Sequence, residues 1–131
     1  MDSGQNREII ESAFSRWVDG DRTAFNELLA EDLHWTVIGK TAVSGSYNSK
    51  REFLEGAGSK MGEKLATPIQ PTLRHVIADR NMVALVFDGH ARGKNGTDYQ
   101  QTYCWVLRVE NGKIREGTAY LDTELITRLF S

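Results

Sequence analysis

The stretch 97-TDYQQTYCWVLRVENGKIREGTAYLDT-123 decides the fold. From Tyr99 to Val109 every second residue is aromatic, apolar or an amide: Tyr99, Gln101, Tyr103, Trp105, Leu107 and Val109 fall on one face. Gln100, Thr102, Cys104, Val106 and Arg108 fall on the other, which is the period-two signature of a strand with one buried side. Asn111-Gly112 is a two-residue hairpin signal, and "KIREGTAYL" is the returning strand. A strand of about 13 residues twists and coils, so the sheet is expected to curve and leave a pocket at its open end.

Upstream, the same grammar gives two more strands, "TLRHVIA" and "MVALVFDGHAR", separated by a turn at Asp79-Arg80-Asn81. The four form an antiparallel meander. Before them the period changes to that of helices. Ile9, Ile10, Ala13, Phe14, Trp17 and Val18 repeat at helical spacing, with Ser3 as the expected cap and Asp19-Gly20-Asp21 as the stop. A shorter helix carries Phe25, Leu28 and Leu29, with Asp21 as its cap. Leu33, Trp35 and Val37 then alternate as a short strand, and a loop follows from Gly39. "SKREFLEGAGSKMGEKL" opens on a capping box, Ser49 with Glu52, and its three glycines predict a broken or mobile third helix. Helices set apart from an antiparallel sheet make a single α+β domain over residues 1–131.

Composition narrows the function. The 131 residues are 40% hydrophobic and 26% charged, the balance of one domain with one core. Sixteen Lys and Arg against 18 Asp and Glu leave no basic excess for a phosphate backbone, so nucleic acid is not an expected partner. No apolar run approaches the ~18 residues of a membrane span, and no export signal is evident, so a soluble, cytoplasmic protein is expected. His34, His75 and His90 are scattered, and neither phosphate-binding glycine fingerprint occurs. Neither a metal nor another cofactor is expected. Cys104, the single cysteine, sits in a strand pattern that suits a small buried hydrophobe.

The expected pocket supplies the candidate site. Tyr99, Gln101, Tyr103 and Trp105 suit an amphipathic cavity for a small, partly polar organic molecule, although the same residues also suit ordinary core packing. Trp35, Tyr47 and Tyr120 complete the ligand-binding candidates. His90 shares a strand face with Asp88 and Arg92 and is a candidate hydrogen-bond donor. Asp122 has two readings. Followed by Glu124, Leu125, Ile126, Leu129 and Phe130, it is well placed to cap a terminal helix. At a pocket rim, an underhydrated carboxyl would shuttle a proton near neutral pH.

Trp35 with Gly39 in "WTVIG", the segment "SGSYNSKREF", the strand "YQQTYCWVLRVENGKI" and "YLDT" together resemble the SnoaL-like polyketide cyclases. These belong with ketosteroid isomerase and nuclear transport factor 2. The resemblance covers nearly the whole chain. It implies a cone-shaped, mostly antiparallel sheet curved around the N-terminal helices, with a central pocket and a homodimer paired through the sheet. Asp122 matches the family's acidic residue at the end of the last strand, which implies a cofactor-free lyase, cyclase or isomerase acting on a small hydrophobic carbonyl compound. In that reading Asp122 is the base, and Tyr103, Tyr99 or His90 donates to the developing enolate oxygen. Departures occur where the family often shows Tyr-x-Asn-x-Tyr and this chain has Tyr99, Gln101 and Tyr103, and where Ser49 replaces a glycine. The alternative is a non-catalytic ligand-binding or interaction domain of the same fold.

Overall fold

The computed structural model describes residues 2–131. Helix α1, Ser3–Val18, is capped by Asp2 and not by Ser3: the Asp2 carboxylate accepts from the Gln5 backbone N–H while the Gln5 side chain returns the bond. Its buried stripe, Ile10, Ala13, Phe14 and Trp17, follows the expected spacing. The link through Gly20 leads into α2, Thr23–Leu28, where Asp21 accepts from the Thr23 N–H at 3.0 Å. Strand β1, Leu29–Val37, starts earlier than the alternation suggests, because Leu29 and Ala30 are already buried in the sheet. Inside the expected loop, Gly45–Tyr47 forms a short edge strand, β2.

The third helical segment runs through its glycines in three phases: α3, Lys50–Phe53; a π-helical turn, Leu54–Gly58; and α4, Ser59–Lys64. Ser49 caps it through the Glu52 N–H. The π-turn inserts an extra residue where Gly56 lies against the Tyr47 ring, a place with no room for a Cβ. Strands β3 (Gln70–Asp79), β4 (Met82–Arg92), β5 (Asp98–Glu110) and β6 (Lys113–Tyr120) form the meander. Asn111 and Gly112 both take positive φ, 51° and 76°, as a two-residue hairpin with the twist of its strands requires. Helix α5, Thr123–Leu129, closes the chain.

The sheet order is β2-β1-β6-β5-β4-β3, antiparallel except where β1 runs parallel to β6. Its inner face carries Val83, Leu85 and Phe87 of β4 with Tyr103, Trp105 and Leu107 of β5, packed against α1. On the outer face the register aligns Ile77, Ala84, Val106 and Thr118 across four strands, and His75, Val86, Cys104 and Tyr120 beside them. No helix among the described residues is long and apolar enough to cross a membrane.

Candidate functional site

The inner face of the sheet and the helices do not close completely. A cavity of about 320 Å³ remains between them, at the small end of the range for ligand pockets. Its aromatic wall comes from Trp17, Trp35, Phe53, Phe87, Tyr103 and Trp105, and Leu121 and Ile126 close the α5 side. All three tryptophans of the chain line it. Trp35 is stacked on Phe53 with ring centroids 4.5 Å apart and lies directly over Gly117, where any side chain would collide with the indole. Trp17 and Trp105 are nearly parallel at 6.0 Å. These contacts fix the wall by ring packing, so the cavity is held open by stiff side chains.

The polar groups of this wall are donors. Tyr103 enters from β5, and its hydroxyl lies 2.5 Å from that of Tyr99, which is fully buried behind it. Gln101, also buried, donates from Nε2 to the Tyr99 oxygen, and its Oε1 accepts the Asp122 backbone N–H at 2.7 Å. The amide is thereby held in one orientation. Either hydroxyl can donate across the tyrosine pair. With a ligand oxygen beside Tyr103, the chain can run from Gln101 through Tyr99 and Tyr103 to that oxygen, each hydroxyl accepting behind and donating ahead. Burial pushes the Tyr99 phenol up to about 12, and burial together with the neighbouring Tyr99 holds Tyr103 well above its usual value. Both are neutral donors near pH 7.

Arg22, in the α1–α2 link, is the group that pattern reading missed. Its guanidinium carbon stands 4.1 Å from the Trp17 ring centroid and 5.9 Å from that of Trp105, and the residue lines the cavity. The residue as a whole is half-buried, but Nε is enclosed without an acceptor. Loss of hydration lowers its pKa to about 10, against an opposing influence from Tyr103. No Asp, Glu or His lines the cavity among the described residues.

The remaining candidates lie elsewhere. Asp122 is an exposed N-cap whose Oδ1 accepts from Glu124 N–H at 3.0 Å and Leu125 N–H at 3.4 Å, and it does not line the cavity. His90 is on the outer face, one residue out of phase with Phe87, and its Nε2 is 3.1 Å from Asp98 Oδ1. Tyr120 is also outside, paired in register with Cys104. Tyr47 lies one layer behind the wall, against Phe53, with its hydroxyl donating to the Val43 carbonyl at 2.6 Å. Of the nine residues singled out in the sequence, Trp35, Tyr103 and Trp105 line the cavity, and Tyr99 with Gln101 back Tyr103 from behind. No group of three or more His, Cys, Asp or Glu side chains suited to a metal occurs among the described residues.

A curved six-stranded sheet folded over helices around an apolar cavity defines an α+β domain of the nuclear transport factor 2 type, and solved structures agree. Bal32a, from a soil-derived mobile gene cassette, is 19% identical, with 98% of each chain covered and a TM-score of 0.83. A nuclear transport factor 2-like protein from Burkholderia thailandensis is 20% identical over 96% of this chain and 97% of its own, with a TM-score of 0.82. TerC, co-crystallized with polyporic acid, is 18% identical over 95% and 96%, with a TM-score of 0.73. The SnoaL-like domain model matches residues 10–117, and the chain belongs to that family. Comparison with curated protein sequences returns no match.

Proposed function

We propose that the protein binds a small one- or two-ring organic molecule in this cavity, with a ligand oxygen placed beside Tyr103. The observation that carries the reading is the composition of the wall: stacked aromatic rings with a few polar groups, of which the Tyr103 hydroxyl, backed by Tyr99 and Gln101, can donate to a ligand acceptor. Apolar walls supply affinity, and a few convergent donors fix orientation. Because the three tryptophans line the cavity, their fluorescence reports on occupancy. Titration with 2-naphthol should give saturable quenching, and Ala57→Phe, which fills the cavity from the π-turn, should abolish it. Quenching that does not saturate, or that is equal in the filled variant, would refute the reading.

A second reading, cofactor-free isomerisation or cyclisation through an enolate, is favoured by one observation, the Gln101–Tyr99–Tyr103 chain. Donors held in place before reaction stabilise an enolate oxygen more than a ground-state carbonyl. In this reading Tyr103 is the electrophilic donor, and solvent water or hydroxide takes the α-proton, because no Asp, Glu or His of the described residues lines the cavity. Asp122 is not its base in the observed arrangement, because the exposed carboxylate is engaged in capping. Exchange of the α-protons of 2-tetralone in D2O, followed by NMR, tests it: the wild-type protein should accelerate exchange and Tyr103→Phe should not.

A homodimer is also part of the proposal. The outer face presents Ile77 and Tyr120 in an apolar band with Ala84, Val86 and Val106, and a second copy paired through the sheet would cover it.

A further inference from the structure

We propose that the ligand is an anion, with its carboxylate or phenolate oxygen paired to Arg22 at the Tyr103 end of the cavity. This rests on the reading of the cavity as a ligand site and adds the charge of the occupant. Arg22 is not a surface cation. It is packed on the Trp17 face with Nε enclosed and unpartnered, and no carboxylate of the described chain stands at ion-pair distance from it. A guanidinium presents five donors in a fixed fork. The indole face satisfies the charge in part but accepts no N–H in the plane of that fork. A half-buried cation whose Nε is enclosed without an acceptor is incomplete, and what completes it is a ligand oxyanion that can lie in the guanidinium plane.

The neighbouring groups support the same occupant. Arg22 and Tyr103 line the same cavity and each influences the other's charge, so a ligand held there meets a cation and a hydroxyl donor in one pocket. Trp35 and Trp105, in the same wall, each bury an indole N–H without an acceptor. No Asp or Glu of the described lining opposes a negative ligand. The rings demand an apolar body, and Arg22 demands a single anionic end. An aromatic or alicyclic monocarboxylate, or an acidic phenol of similar size, meets both requirements.

Two probes of one shape separate charge from fit: 2-naphthoate and 2-naphthamide, titrated into the full chain at pH 7 with tryptophan fluorescence as the readout. The expected result is a Kd for naphthoate at least about tenfold lower than for naphthamide, a difference of about 1.4 kcal/mol. In Arg22→Gln this ratio should fall to about one while naphthamide binding is retained. Equal or tighter binding of naphthamide to the wild-type protein overturns the anion proposal and leaves the cavity reading intact. Naphthoate preference that persists in Arg22→Gln also overturns it. If neither probe quenches at millimolar concentration, the cavity reading fails and the proposal with it. Where Arg22→Gln does not fold, Arg22→Met supplies the same comparison, and persistence of the preference in it overturns the proposal.

Discussion

Replacing Arg22 by methionine should stabilise the empty protein. The guanidinium pKa is lowered to about 10 because burial strips its water, and at about 1.36 kcal/mol per pKa unit this is on the order of 3 kcal/mol of unfavourable burial. Stacking on Trp17 offsets about 0.5–2 kcal/mol of that cost. Methionine keeps an unbranched apolar stem against the same indole and carries no charge to desolvate. The expected net gain is about 1–2 kcal/mol, which for a domain of this size raises Tm by about 4–8 °C. The folded-state pKa is the lower one, so the unfolded chain binds more protons only from about pH 10 up to the ordinary arginine value. Below that window the full cost applies, and measurement at pH 7 captures it. Urea unfolding with an unchanged m-value, together with calorimetry, supplies the number. A lower Tm for Arg22→Met would refute the reasoning, since it would mean that Arg22 stabilises the empty fold more than its burial costs. A gain in stability accompanied by loss of naphthoate binding would identify a residue whose role lies in function rather than folding.

Other outcomes are specific. Tyr99 and Tyr103 both have raised folded-state values, so the unfolded chain loses these protons first and stability should fall as pH rises above about 10; tyrosinate absorbance at 295 nm should show that Tyr99→Phe/Tyr103→Phe loses no amplitude below pH 11. Asp122→Ala removes an acceptor for two backbone N–H groups and should cost about 1 kcal/mol, whereas Asp122→Asn should cost little. Both Asp122 variants should retain 2-naphthol binding, and loss of binding in the asparagine variant would place the carboxylate in the site after all. Light scattering should report twice the monomer mass for the wild-type protein and a lower mass for Ile77→Lys/Val106→Lys, which sets charges on the outer apolar band; a monomeric wild type would exclude the sheet-paired dimer.

What the sequence disclosed and what it hid follow from the range of the interactions involved. Alternation over Tyr99–Val109 is local, so the inner face of β5, including Tyr103 and Trp105, was legible from spacing alone. The same holds for the Asn111-Gly112 hairpin and for Asp122 as a cap, since each depends on neighbours within four residues. Parallel pairing of β1 with β6 joins segments about 80 residues apart and leaves no local mark, and β2 exists only because β1 offers it an edge. His90 shows how alternation resolves a site only once its phase is known. Phe87 faces inward, so His90 faces out, although polarity alone made the histidine the better candidate.

Arg22 was hidden for another reason. In "DGDRTAF" it reads as one more charged residue of a turn, and helix grammar assigns such residues to solvent. Its partial burial arises because the turn after α1 carries the chain across the face of Trp17, while strand β5 brings Trp105 to within 5.9 Å of the guanidinium and Tyr103 into the same cavity wall. Two segments distant in sequence, the end of α1 with its turn and strand β5, thus meet at one cation, and each alone looks like packing or a turn. A sequence chosen for folding alone has no use for an unpaired guanidinium in an aromatic wall, where an apolar residue of the same length would pack at lower cost. The arrangement is economical only if the missing acceptor arrives from outside, which is why the cavity and the charge of its occupant are best tested through the same residue.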